Sequence, residues 1–211
     1  MRRPSRRYWL DARRAALPFA LSLAAIVGCT RAPPPASYPV ARIQTRLGEI
    51  LLYLYPETPH HRASFIKLAS SHYWDAFTFN RVIPDFVAQG GCPDTPAGFA
   101  DSPYLLEPEF DHSLRHVYGA VGAGRDDNPK MLSAGCQFYI VANKNGLARL
   151  DDKYTVYGRV IKGMDVVEAV VSEKTDGTHN PVVAIGLHVD VIEMTADQLR
   201  QLGFMPDAGA P

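Results

Sequence analysis

The sequence predicts a mainly β fold: a closed or nearly closed antiparallel sheet whose open ends are plugged by two helices. Three observations predict it. Apolar runs of strand length recur between Gly, Pro and Asp clusters, only two segments carry helical spacing, one early and one late, and no internal repeat stands out. With 211 residues, 46% of them hydrophobic and 21% charged, the chain fits one globular domain, and collagen, coiled coil and wholesale disorder are excluded.

The elements follow in order. Val40, Ile43 and Thr45 precede a turn at Arg46-Leu47-Gly48, and Glu49 to Tyr55 returns as the second strand of a hairpin whose apolar run implies burial on both faces. Thr58 offers an N-cap with Pro59 at the first helical position, and Ala63, Phe65, Ile66, Leu68 and Ala69 recur at helical spacing, so Pro59 to Ser71 reads as an amphipathic helix. Short strands are expected at Thr78–Ile83, Val87–Gln89, Tyr118–Val121, Gln137–Val141 and Thr155–Val160. Met164 to Val171, with Val166, Val167, Val170 and Val171 on one side, fits the second helix, and Ala184 to Met194 the last strand. The middle from Cys92 to His116, with four prolines, reads as loop that shapes a surface groove, and the segment from Thr195 to Pro211 reads as a tail whose terminal MPDAGAP is expected to fray.

The N-terminus reads as a targeting segment. Residues 1–28 hold six Arg and one Asp, and an uncharged run from Ala15 to Gly28 follows the arginines. That run is too short for about 30 Å of hydrocarbon and Pro18 interrupts it. Ile26-Val27-Gly28-Cys29 resembles the lipobox of bacterial lipoproteins, in which the Cys is acylated and becomes the first residue. This implies a signal peptide over 1–28, a lipidated Cys29 with a Pro-rich spacer to 39, the globular domain over 40–194 and the tail over 195–211. Membrane attachment is then by lipid anchor only, each buried CH₂ contributing about 0.8 kcal/mol. Ser5 to Leu10 also looks like a twin-arginine export motif, so Sec and twin-Arg routes both stay open. Thr30 rather than Asp after Cys29 favours, by resemblance to lipoprotein sorting, the outer membrane facing the periplasm.

Beyond residue 28 the chain holds 16 basic and 21 acidic residues, a poor electrostatic match for nucleic acid, and none is expected as a partner. With Cys29 lipidated, Cys92 and Cys136 are either a disulfide in an oxidising compartment or two buried thiols.

The stretch Phe79 to Gly91, FNRVIPDFVAQGG, carries the chemistry. Strict alternation puts Phe79, Arg81 and Ile83 on one strand face and Val87 and Gln89 on one face of the next. A fixed cation, an amide and an apolar patch on one surface suit a ligand that is apolar at its reacting part and bears peptide groups. Nucleophile, paired carboxylates and metal ligands are missing from this constellation, which makes covalent hydrolysis hard to build there. Standing alone, Arg81 would equally be a solvated strand charge; Phe79 and Phe86 on either side mark it as a site residue.

This stretch resembles the F-x-R-V/I-I-x-x-F-x-x-Q-G-G signature of the cyclophilin family of peptidyl-prolyl cis/trans isomerases. Gly135 to Ile140 (GCQFYI) is similar to the family's G-S-Q-F-F-I segment, Leu150 to Gly158 (LDDKYTVYG) to L-D-G-K-x-x-V-F-G, and Gly163 to Val167 to its second helix. The motifs run in family order from about Val40 to Met194. The resemblance implies a closed eight-stranded antiparallel barrel capped by two α-helices, no cofactor, X–Pro segments of unfolded or flexible exported proteins as partners, and a monomer. It also implies roles: Arg81 as the catalytic donor to the prolyl nitrogen, with Gln89 and Phe86 beside it. Val87, Tyr139, Leu150 and Tyr154 are implied for the substrate surface, and Gly122, Ala123 and Gln137 for gripping the peptide. Read without the family, Phe86, Val87, Tyr139 and Leu150 are core residues.

Several positions depart from the family pattern. Val87 stands for the usual Met, Tyr139 for Phe, Ala123 for Asn, Tyr154 for His, and Arg149 occupies the place before Leu150 that carries Trp. The cup should change volume and gain a polar rim, and cyclosporin should inhibit weakly. These departures keep open a second function, a proline-peptide scaffold or holdase without catalysis. His60-His61 and the pair His112 and His116 lack a third ligand; solvated surface histidines and no metal are expected. Arg125 to Lys130 reads most simply as a polar turn, although by the resemblance the equivalent loop borders the peptide groove, and no Gly-rich phosphate loop follows a strand.

Overall fold

The computed structural model describes residues 36–93 and 105–206. The targeting segment, Cys29 and the spacer through residue 35 lie outside these, as do residues 94–104 of the Pro-rich middle and residues 207–211.

The chain opens with the expected hairpin of β1 (Ser37–Thr45) and β2 (Gly48–Leu54), closed at Thr45 opposite Gly48. Ile50 to Leu54 are buried on both faces, as their unbroken apolar run implies. Seven further strands complete the main sheet: β3 (Thr78–Ile83), β4 (Val87–Gly91), β6 (Ala120–Ala123), β8 (Gln137–Val141), β9 (Val156–Lys162), β10 (Ile185–Gly186) and β11 (His188–Thr195). Two short strands, β5 (Leu105–Leu106) and β7 (Ser133–Ala134), pair separately over the loop-rich middle.

The sheet order is β10-β3-β4-β8-β6-β9-β2-β1-β11, and every pairing is antiparallel. The single last strand expected over Ala184–Met194 is divided at Leu187, whose N–H leaves the ladder and donates to the Phe77 carbonyl at 3.0 Å. On one side of that break β10 pairs with β3, and on the other β11 pairs with β1. One continuous stretch therefore joins both ends of the sheet order and brings it round into a nearly closed barrel. The expected eight strands become nine for this reason.

Inside lie Ile43, Ile50, Leu52, Phe79, Val82, Phe138, Ile140 and Ile185, all fully buried, with Phe65 of α1 (Pro59–Ser70) and Val167 and Val170 of α2 (Met164–Val171) pressed against them. Thr58 precedes α1 but makes no side-chain cap. The carboxylate of Glu109, from a distant loop, takes that role and accepts the backbone N–H groups of His60 and His61 at 3.0 and 2.9 Å.

The C-terminal segment corrects the sequence reading. Thr195 and Gln198 form a reciprocal capping box that starts a third helix, α3 (Ala196–Gln201), and Leu199 is fully buried. Phe204 then packs on Tyr53, the rings tilted with centroids 4.5 Å apart. Residues 195–204 are anchored, because a T-x-x-Q cap and two apolar side chains outweigh the cost of ordering a short helix.

Cys92 and Cys136 form a disulfide with Cα atoms 5.5 Å apart, which settles the two readings left open by the sequence. The bond lies where β4 leaves the sheet and β8 enters it, beside the Gly91–Gln137 pair, and the Trp74 indole N–H donates to the Cys136 carbonyl at 2.9 Å.

Candidate active site

A cleft of about 220 Å³ opens on the outer face of β3, β4 and β8, lined by Arg81, Phe86, Val87, Gln89, Gly124, Arg125, Gln137, Tyr139, Arg149, Leu150 and Tyr154. Its centre is one transverse row of the sheet. Arg81 pairs with Gln89 across β3 and β4, Gln89 with Tyr139 across β4 and β8, and Tyr139 with Gly122 across β8 and β6. Strands are about 4.8 Å apart, so the guanidinium strand and the tyrosine strand are separated by roughly 10 Å, the span of a prolyl residue with its flanking peptide groups.

Arg81 reaches this face through a β-bulge. The β3–β4 register shifts between Phe79 and Arg81, and the extra residue is Asn80, whose side-chain amide donates to the Gly91 carbonyl at 2.8 Å. Phe79 consequently points into the core, fully buried, and Arg81 points out. Strict alternation had put them on one face; the bulge re-aims the strand between them. The Arg81 guanidinium lies 5.6 Å from the centre of the Phe86 ring and donates a long hydrogen bond, 3.4 Å, to Oε1 of Gln89. Gln89 is 7% exposed, so its amide is fixed by its strand while Arg81 keeps most of its donors for a ligand.

Beside this polar pair lies an apolar cup. Phe86, Val87, Tyr139 and Leu150 belong to one cluster, with Tyr154 edge-on to Tyr139 at 6.2 Å. Val87 and Tyr139 are buried against the sheet, and Phe86 and Leu150 are half-buried at the rim.

Tyr139 does not add the polar rim expected of it. Its hydroxyl points away from the cleft and meets Nε2 of His116 at 2.8 Å, while Nδ1 of His116 faces the Asp151 carboxylate at 2.7 Å. The carboxylate accepts the proton on Nδ1, so Nε2 is the acceptor and the tyrosine O–H donates. Burial pulls the His116 pKa down and Asp151 opposes it, while burial pushes the Tyr139 phenol well above its ordinary range.

The structure refines the sequence reading at several residues here. Gly122 and Ala123, implied for gripping the peptide, are not among the residues that line the cleft: Gly122 packs behind Tyr139, Ala123 belongs to the barrel core, and Gly124 lines it. A Cβ on Gly124 would come within 1.9 Å of Oε1 of Gln137, whose carboxamide donates to the Cys92 carbonyl at 2.9 Å. His116 and His61 are not surface histidines, being 2% and 3% exposed; His61 lies 2.6 Å from Glu109. Arg125, from the loop whose family equivalent borders the peptide groove, lines the cleft over Tyr154 at 4.5 Å, and Arg149, read only as a departure, lines it over Phe86 at 4.7 Å.

Among the described residues, three ligand-type side chains gather in one place, His72, Asp75 and His188. They are exposed and none lines the cleft, and His188 is held to Asp75 by a 2.9 Å contact.

A family model described as cyclophilin type peptidyl-prolyl cis-trans isomerase matches residues 40–189. The chain belongs to the cyclophilins. It is 30% identical over 152 residues to the peptidyl-prolyl cis-trans isomerase CYP18-2 of Arabidopsis thaliana, covering 71% of this chain and 90% of that one. A peptidyl-prolyl cis-trans isomerase of Acinetobacter baylyi is 34% identical over 149 residues, 68% of this chain and 78% of the relative. In fold, this cyclophilin superposes on a Cryptosporidium parvum cyclophilin with TM-score 0.63 at 22% identity, over 76% of this chain and 99% of that chain. Membership makes this cyclophilin an enzyme of the peptidyl-prolyl cis-trans isomerase class, and the cleft described above is its candidate active site.

Proposed function

We propose that this cyclophilin accelerates rotation about X–Pro bonds in exported proteins, with Arg81 as the group that distinguishes the twisted amide from the planar one. Amide resonance opposes rotation with a barrier of roughly 18–20 kcal/mol, and exchange without a catalyst takes tens of seconds or longer. As the bond twists, the prolyl nitrogen becomes pyramidal and gains a lone pair. A guanidinium N–H of Arg81 donates to that lone pair and so holds the nitrogen out of resonance. The planar amide offers no such acceptor, so the interaction favours the transition state alone.

The other lining residues serve that encounter. Phe86, Val87, Tyr139 and Leu150 hold the ring of proline, which fixes one side of the rotating bond. Gln89 steadies Arg81 and offers its amide N–H to a substrate carbonyl. The observation that carries the reading is the row in which a cation, an amide and a buried aromatic ring stand side by side above an apolar cup. Support also comes from the C. parvum relative, a structure of which was obtained in the presence of the dipeptide Ala-Pro.

The setting is the cell envelope, with Cys29 lipidated and the enzyme held at the outer membrane facing the periplasm. The lipobox-like Ile26 to Cys29 and the Cys92–Cys136 disulfide support this, since such bonds persist in oxidising compartments. Mass analysis of the mature protein should find an acylated Cys29 at the N-terminus; an intact Met1 terminus would remove the proposal. For the activity, exchange in a short X–Pro peptide is followed with and without the protein. Acceleration supports the isomerase; peptide binding without acceleration makes the protein a scaffold.

A further inference from the structure

The cleft is lined by three arginines and no carboxylate. Arg81, Arg125 and Arg149 all face it, and among the described residues none of the three forms an ion pair. Of the nine described arginines, those at 42, 46, 115 and 200 are paired with an acid, whereas Arg62 and Arg159, like the three of the cleft, are not; what sets the three apart is that they converge on one cleft.

The two outer arginines are held in place without being neutralised. Arg125 lies over Tyr154, and its Nε and NH1 donate to the backbone carbonyls of Lys153 and Asp126 at 3.1 and 2.8 Å. Arg149 lies over Phe86, and its own carbonyl accepts from Nζ of Lys153 at 3.1 Å. Stacking on aromatic faces orients a guanidinium and leaves its charge uncompensated.

Both rings that carry these arginines border the proline cup. Consecutive Cα atoms are about 3.8 Å apart, so a residue one or two positions from a bound proline falls within reach of one of them. A carboxylate there gains a charge-assisted hydrogen bond, and a lysine there meets a field of its own sign.

We infer that the preferred substrates of this enzyme carry an acidic residue within two positions of the proline, recognised by Arg125 and Arg149. The inference rests on the isomerase reading of the same cleft. It also assigns to Arg149, at a position where the family has Trp, a gain in charge selection.

The test measures kcat/KM for cis/trans exchange in a peptide series whose residue before or after proline is Glu, Ala or Lys, with the full-length protein at low and at high salt. Glu should exceed Lys by about fivefold to tenfold at low salt, mainly through KM, and the ratio should fall toward one in 0.5 M NaCl, where the Debye length shrinks to a few ångström. The double variant Arg125→Glu, Arg149→Glu should reverse the order. Equal rates for Glu and Lys peptides with good turnover of the Ala peptide overturn the inference and leave the isomerase intact. Failure to turn over any peptide overturns the isomerase reading itself.

Discussion

The hydroxyl of Tyr139 donates to Nε2 of His116 across 2.8 Å, and this contact fixes the floor of the proline cup from behind. The same ring also rests on Gly122, where a Cβ would come within 2.3 Å of the ring and its hydroxyl. Tyrosine at this position therefore comes with a glycine that makes room for it and a buried histidine that satisfies it.

Removing the hydroxyl should cost stability more than chemistry. Tyr139→Phe leaves the ring in the cup but orphans the buried Nε2 of His116, a loss of about 1–2 kcal/mol. Denaturant unfolding should show the lowered midpoint, and the rate of exchange should stay within a few fold of the parent.

Gly122→Ala should be the more harmful change for catalysis. The new methyl drives the Tyr139 ring into the cup, so kcat/KM should fall, and part of the loss should return in Gly122→Ala, Tyr139→Phe, where the ring is free of His116 and can shift. Equal losses in both backgrounds would mean that the tether has no part in positioning the ring.

Acid should loosen the fold from near neutrality downward. Burial lowers the folded pKa of His61 and of His116, with Glu109 and Asp151 opposing it. A histidine whose folded pKa lies below its unfolded value of about 6.5 stabilises the fold above that value and loses the contribution as pH drops through the folded pKa. Glu109 acts in the same direction at lower pH. Its burial would raise the pKa, but the N–H groups of His60 and His61 and the imidazole together hold it below the usual range. Unfolding free energy should therefore decline as pH is lowered from 7 to 5, with a shallower slope in His116→Gln.

The Cys92–Cys136 bond closes a stretch of 44 residues. On the chain-entropy account its loss costs roughly 4 kcal/mol, so reductant should lower the unfolding midpoint of the parent and leave Cys92→Ser, Cys136→Ser unchanged. Mass analysis after alkylation checks the bond directly.

Much of this was legible in the sequence because the signals were local. The hairpin, α1, α2 and the central strands announce themselves through period and turn residues, and the spacing of Arg81, Phe86 and Gln89 marks three side chains that line one cleft. The division of the last strand at Leu187 was not legible, since only pairing with β3 on one side and β1 on the other reveals it. Nor was the bulge at Asn80, which moves Phe79 inward by adding a single residue to one strand. His116 and Glu109 were missed for a third reason: their partners, Tyr139 with Asp151 and the start of α1, lie tens of residues away. The capping box at Thr195 and Gln198 was in plain sight, obscured by the polar composition around it.

The central claim is that Arg81 acts on the twisted prolyl amide. The direct measurement compares the parent, Arg81→Lys and Arg81→Ala in cis/trans exchange and in binding of one X–Pro peptide. Arg81→Ala should bind the peptide nearly as well and lose about 10²–10³ in kcat, the scale for removing a donor that serves the transition state, with Arg81→Lys between the two. Full exchange activity in Arg81→Ala would contradict the account.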